Sequence, residues 1–125
     1  MEYLIKHAKI VNEGKIIEGD LLIKDGMIAD IDISISVKSS NTTIIDAEGS
    51  FLIPGLIDDQ VHFREPGLTH KETILTGSRA AVAGGITSYF EMPNTQPQTI
   101  SQDLFKQKCA MAQDNSFANY AFMFG

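Results

Sequence analysis

From about residue 53 onward, strand-like segments alternate with segments that carry helix-start signals, and this rhythm constrains the fold more than any other feature. Ile53–Phe63 is apolar at its start and strand-like. Thr69 and Glu72 then stand three apart, the spacing of a capping box, ahead of a helix predicted over 71–83. Ile74, Ser78, Ala81 and Val82 form a narrow stripe with helical spacing, and Gly84-Gly85 supplies a positive-φ stop. Ile86–Phe90 reads as a second strand. Thr99 and Gln102 repeat the capping spacing before a second helix over 100–113, with Leu104, Phe105, Cys109 and Ala112 inward, and Phe117–Phe124 reads as a third strand. Strands joined through helices must run parallel with right-handed crossovers, and ligands collect at the carboxyl ends of such strands.

Residues before this point follow a different pattern. Tyr3–Val11 is apolar and β-branched and breaks at Asn12-Glu13-Gly14. Ile16-Ile17 and Leu21–Ile23 follow, then Lys24-Asp25-Gly26, a hairpin signal. Ile28–Ile33 alternates with Asp30 and Asp32, Ser34–Asn41 is a polar loop, and Thr43–Asp46 is a further strand. The expectation is a small antiparallel β module over residues 1–52 and an α/β part over 53–125.

The segment from Pro54 to Gly67 carries the chemistry. Polar residues fall at every second position, Asp58, Gln60, His62 and Arg64, with Val61 and Phe63 between them. On a strand, the period of two puts the four on one face. Burying such a set unpaired costs several kcal/mol, roughly 2–7 on transfer scales, so the face reads either as a site or as a solvated edge. A histidine two residues from an arginine suggests a metal beside an anion. His62 and Gln60 are the candidate metal ligands. Imidazole donates a lone pair to zinc at about 2.0–2.1 Å, whereas a neutral amide oxygen is a poorer donor. Gln60 therefore ligates weakly, hydrogen-bonds a water, or fills space. Asp58 braces the strand or a ligand. Arg64 fits a carboxylate through its planar fork, or else pairs with Glu65 or Glu72. Asn94, just past the second strand, adds an amide donor or makes the turn after Pro93. Topology alone brings the Gln60–Arg64 and Asn94 segments to one rim. His7 and His70 read as surface residues, Arg79 as a structural ion-pair partner, and Cys109 as a core thiol.

Composition narrows the partners. The chain has 125 residues, 43% hydrophobic, with net charge −6 and one cysteine. It has no block of Lys and Arg to bind nucleic acid, no apolar run near the ~20 residues that span a bilayer, and no basic-then-apolar leader in its first residues. A single cysteine excludes an internal disulfide. These features lead us to expect a soluble, cytoplasmic protein.

Three ordered motifs carry a family resemblance: Pro54–Gly67, Gly77-Ser78-Arg79-Ala80-Ala81-Val82-Ala83-Gly84-Gly85-Ile86-Thr87, and Met92-Pro93-Asn94-Thr95. They resemble the amidohydrolase superfamily, in particular dihydroorotase, whose first barrel strand reads Pro-Gly-x-Ile-Asp-x-His-x-His-x-Arg-Glu-Pro-Gly. This chain departs at one place, having Gln60 where the family has the first His of the pair. The resemblance implies the start of a (β/α)8 barrel, preceded by a β module that forms part of a composite β-sandwich. It implies one or two zinc ions bound in part by His62, a carboxylate-bearing substrate held by Arg64 and Asn94, and reversible cyclisation of N-carbamoyl-L-aspartate to dihydroorotate in pyrimidine synthesis. A complete barrel takes about 250 residues, so the chain reads as truncated. On this reading its proton-shuttle Asp and remaining ligands lie beyond Gly125, the 125 residues alone are inactive, and the open third strand favours self-association. Two other readings stay open: an allantoinase- or hydantoinase-type cyclic amidohydrolase, and, because of Gln60, an inactive structural homologue.

Overall fold

The first long apolar segment becomes β1 (Glu2–Asn12), the strand around which the amino-terminal sheet is built. A two-residue turn leads to β2 (Lys15–Lys24), and a second leads to β3 (Met27–Asp32). Both turns place two successive residues at positive φ, Glu13-Gly14 and Asp25-Gly26. That geometry matches the twist of a hairpin, and it is why glycine stands second in each. In a computed structural model that describes residues 1–125, Met1–Pro54 forms one compact unit and Gly55–Gly125 another.

In the first unit the sheet order is β3-β2-β1-β4, where β4 is Thr42–Asp46, and a short β5 (Phe51–Leu52) also pairs with β1. The hairpins are antiparallel as expected, but β4 and β5 run parallel to β1, so the sheet is mixed. The polar segment after β3 crosses over and returns in β1's direction, which a hairpin turn cannot do. Ala8, Ile10 and Leu21 make the core, with Ile5, Ile23, Ala47 and Leu52 packed against them. Asp20, 1% exposed, is the polar anchor. It accepts hydrogen bonds from the N–H of His7 (3.0 Å) at the β1 bulge and of Ile35 (2.9 Å), with Lys6 Nζ at 3.7 Å. Burial opposes its ionisation, but the two amides and the nearby cation outweigh it and hold the pKa below the usual carboxylate value.

The second unit follows the strand–helix rhythm: β6 (Leu56–Val61), α1 (Ile74–Ala83), β7 (Ile86–Glu91), α2 (Gln102–Asn115) and β8 (Asn119–Phe122). The three strands pair in the order β6-β7-β8, all parallel. Phe63, Tyr89 and Ala118 form one core cluster, and Ile74, Ala112 and Phe122 another.

Both helices start later than their capping spacings suggest. Thr73, not Thr69, caps α1, accepting from Thr76 N–H at 3.1 Å. The chain from Arg64 to Lys71 is taken up by turns, with Leu68 N–H bonded to Arg64 O and Lys71 N–H to Leu68 O. Ser101, not Thr99, caps α2, because Thr99 is buried with its N–H bonded back to Pro93 O. Neither helix is long and apolar enough to cross a membrane.

Candidate functional site

Strand alternation governs only the first half of the polar face. Asp58 and Gln60 lie within β6, but the strand ends at Val61. Past it the backbone turns, and Arg64 takes φ 69°, in the left-handed region. The period-of-two argument therefore does not set the direction of Arg64. The cause lies in Phe63, whose ring packs edge-on against Tyr89 at 4.7 Å while its N–H and that of Arg64 leave the ladder for Glu91 Oε1, at 3.1 and 3.3 Å.

Two loops at the carboxyl ends of β6 and β7 come together. Met92 N–H donates to Val61 O at 3.0 Å, and Gln96 N–H donates to Pro66 O at 3.0 Å. The second loop is internally satisfied: Thr95, 2% exposed, donates its hydroxyl to Pro97 O at 2.9 Å.

These loops place His62 Nδ1 3.0 Å from Asn94 Oδ1. An amide oxygen only accepts, so Nδ1–H is the donor, and in the neutral ring Nε2 then carries the lone pair. The same bond leaves the Asn94 NH2 free to donate elsewhere. His62 and Asn94 are thus brought into contact, whereas Gln60 and Arg64 make no side-chain bond to either. Gln60 is exposed, and its N–H bonds to Asp58 Oδ1 at 3.1 Å, a local brace within the strand.

The two acidic side chains that follow Arg64 most closely in sequence have other partners. Glu65 accepts from Ile74 N–H at 2.8 Å, and Glu72 accepts from Thr73 N–H at 2.9 Å and from the Thr76 hydroxyl. Both carboxylates therefore serve the start of α1, and neither pairs with Arg64. The Thr76 hydroxyl and Thr73 amide hold the Glu72 pKa below its usual value. Arg79 is exposed and makes none of the ion pairs. His7 is exposed beside Asp46 at 3.0 Å, and His70 is exposed. Cys109 packs at the margin of the Ile74–Ala112–Phe122 cluster.

The sequence reading missed Glu91 and Lys108, which are 0% and 1% exposed. Their signal was present: Glu91 shares strand parity with Tyr89, and Lys108 falls four residues after Leu104 and four before Ala112, on the inward stripe of α2. No three His, Cys, Asp or Glu side chains converge in the chain. An imidazole nitrogen such as His62 Nε2 is a suitable metal donor, but the residues of this chain do not by themselves make a metal site.

His62, Arg64 and Asn94 stand on the loops after the first two strands of a parallel strand–helix unit, the edge at which α/β domains generally bind their ligands. The chain belongs to the dihydro-orotase-like family, whose model matches residues 49–119. It is 52% identical over 99 residues to a dihydroorotase of Carboxydothermus hydrogenoformans, covering 78% of this chain and 23% of that protein. It is 43% identical over 120 residues to one of Bacillus cytotoxicus, covering 95% and 28%. Among solved structures it resembles an L-hydantoinase (dihydropyrimidinase) of Arthrobacter aurescens, with TM-score 0.92 and 33% identity over 98% of this chain and 27% of the other. It also resembles a D-hydantoinase of a Thermus species, at 0.81 and 29%, covering 98% of this chain and 27% of that one. The chain thus spans about a quarter of the length of the relatives it matches.

Proposed function

We propose that this chain is the amino-terminal part of a zinc-dependent dihydroorotase, which cyclises N-carbamoyl-L-aspartate to dihydroorotate and reopens it in pyrimidine synthesis. The observation that carries the reading is the His62–Asn94 hydrogen bond. It fixes the imidazole tautomer with Nε2 available as a ligand and leaves the Asn94 amide available to a carboxylate beside Arg64. The likeness to hydantoinases along 98% of the chain supports β6, β7 and β8 as the first three strands of a (β/α)8 barrel. It likewise supports the amino-terminal unit as one part of a composite β-sandwich.

In this reading His62 Nε2 binds zinc, and Gln60, two residues earlier in the chain, contributes an amide oxygen or bonds a water there. Zinc supplies Lewis-acid polarisation of an amide carbonyl. Arg64 clamps the substrate carboxylate through paired hydrogen bonds, and Asn94 N–H adds a neutral one. The proton-shuttling acid and the other ligands come from segments that the relatives possess beyond the quarter matched here. The 125 residues alone are inactive, because a catalytic zinc normally needs three protein ligands. The complete protein acts in the cytoplasm on a carboxylate-bearing small molecule, without nucleic acid or membrane as partner, whereas the 125 residues alone, with the third strand open, self-associate.

The structural likeness to hydantoinases favours a second reading, ring opening of a cyclic amide without a carboxylate. Assaying the complete protein side by side on N-carbamoyl-aspartate, dihydroorotate, hydantoin, dihydrouracil and allantoin decides between them. Turnover of the first two supports our reading, and turnover of the others alone replaces it. Turnover of none of them, in a folded, metal-supplemented protein, supports the inactive homologue that Gln60 suggests.

A further inference from the structure

Glu91 and Lys108 form a fully buried ion pair that is poorly explained as a source of stability. Glu91 Oε2 stands 3.7 Å from Lys108 Nζ and has no hydrogen-bond partner. Burial pushes the Glu91 pKa up and the Lys108 pKa down, each partly offset by the other's charge. Replacing a buried pair of this kind with apolar residues is often neutral or stabilising. What an apolar pair could not reproduce is the set of backbone bonds. Glu91 Oε1 accepts from Phe63 and Arg64 N–H. Lys108 Nζ, lying 5.1 Å over the Phe122 ring, donates to Met92 O at 3.0 Å. One pair therefore grips both loops of the rim, at the residue where Arg64 adopts its left-handed turn and two residues before Asn94. A non-glycine residue holds that conformation only where its surroundings enforce it.

We propose that Glu91, seated by Lys108, is a positioning residue that fixes the Arg64 guanidinium and the Asn94 amide relative to one another, so that a carboxylate meets a preformed clamp. This deepens the proposed function and rests on its assignment of Arg64.

The test uses the complete protein, meaning this chain with the further segments of its relatives. Glu91→Leu/Lys108→Met removes the charges together, and Glu91→Gln/Lys108→Met keeps a neutral acceptor for the two amides. Each is made with and without Arg64→Met and read by kcat and KM for N-carbamoyl-aspartate. Calorimetric affinity for the same compound gives a readout that needs no turnover. The Leu/Met pair is expected to fold and to lose at least tenfold in kcat/KM and affinity, carried by KM. The Gln/Met pair should recover most of that loss. In the Arg64→Met background the Leu/Met pair should change either quantity much less, because only the smaller contribution of Asn94 is left to lose. If the Leu/Met pair does not fold, Glu91→Asp carries the test, since its shorter carboxylate cannot reach both amides. An Arg64-dependent, KM-borne loss then supports the proposal. Wild-type KM in the Leu/Met pair, or an equal loss in both backgrounds for whichever variant is used, overturns it. Wild-type kinetics for Arg64→Met alone overturns the clamp itself, and the positioning role falls with it.

Discussion

Gly77→Ala is a substitution on which two physical effects disagree in sign. Gly77 lies in the first turns of α1 and is buried. Alanine is favoured over glycine in a helix by about 0.8–1.0 kcal/mol, so propensity alone predicts stabilisation. Packing predicts the reverse. A Cβ at Gly77 would stand 2.5, 2.7 and 2.8 Å from Cδ1, Cε1 and Cγ of Phe63, well inside the ~3.5–4.0 Å of ordinary carbon contacts. The ring has nowhere to go, because it is wedged against Tyr89 and Ala118 and its own N–H is tied to Glu91. Overpacking of this sort costs about 1–3 kcal/mol. With three ring atoms struck at once we take the upper part of that range, leaving a net loss of about 1–2 kcal/mol. Urea unfolding followed by near-UV circular dichroism of the tyrosines measures it, since the chain has no tryptophan. In a Phe63→Leu background the ring is gone, and Gly77→Ala should become neutral or stabilising by up to about 1 kcal/mol. Stabilisation in the wild-type background would refute the argument that Phe63 is immovable, and with it the idea that the backbone at residues 62–64 is held rigidly.

Other expectations follow from the same contacts. Asp20 has its pKa depressed in the folded state, so its contribution to stability is present above the unfolded value of about 3.9 and is lost as pH falls through the folded one. Asp20→Asn should flatten that acid limb and cost about 1–3 kcal/mol at neutral pH, as measured by urea unfolding of the first unit from neutrality to about pH 3. In the complete protein, Arg64→Met should cost about 2–5 kcal/mol in kcat/KM, since it leaves a partly buried carboxylate without its charged partner. Asn94→Ala should cost less, about 0.5–1.5 kcal/mol for a neutral hydrogen bond. Steady-state kinetics of the two variants ranks them. His62→Ala should lose zinc by metal analysis. Gln60→Ala should weaken zinc only if the amide ligates directly, and Gln60→His should tighten it.

The rhythm of the second unit was legible because each signal is local: apolar runs, caps, and a Gly-Gly stop. What was not legible depends on distant partners. The parallel return of β4 and β5 to β1 is set by pairing across more than thirty residues, which turn chemistry does not encode. The helix caps slipped by two to four residues because the turns over 64–71 take up the chain around Thr69 and because Thr99 bonds back to Pro93 O. At the site, the meeting of the His62 and Asn94 segments on one rim could be read from topology. The turn at Arg64 could not, because it depends on Glu91, a carboxylate from the next strand reaching back across the sheet end. Lys108 is inconspicuous in the sequence because its neighbours make a good apolar stripe, and a charge within such a stripe has meaning only once its partner is known.

The central claim is that His62 and Arg64 serve one ligand site, a metal on one side and a carboxylate on the other. Crystallising the complete protein with zinc and N-carbamoyl-aspartate, with anomalous data at the zinc edge, tests it most directly. The account predicts a zinc peak about 2.0–2.1 Å from His62 Nε2, with Nδ1 still bonded to Asn94 and a ligand carboxylate in two hydrogen bonds to Arg64. A zinc site that leaves His62 Nε2 bonded to protein instead, or a ligand whose carboxylates lie away from Arg64, would contradict it.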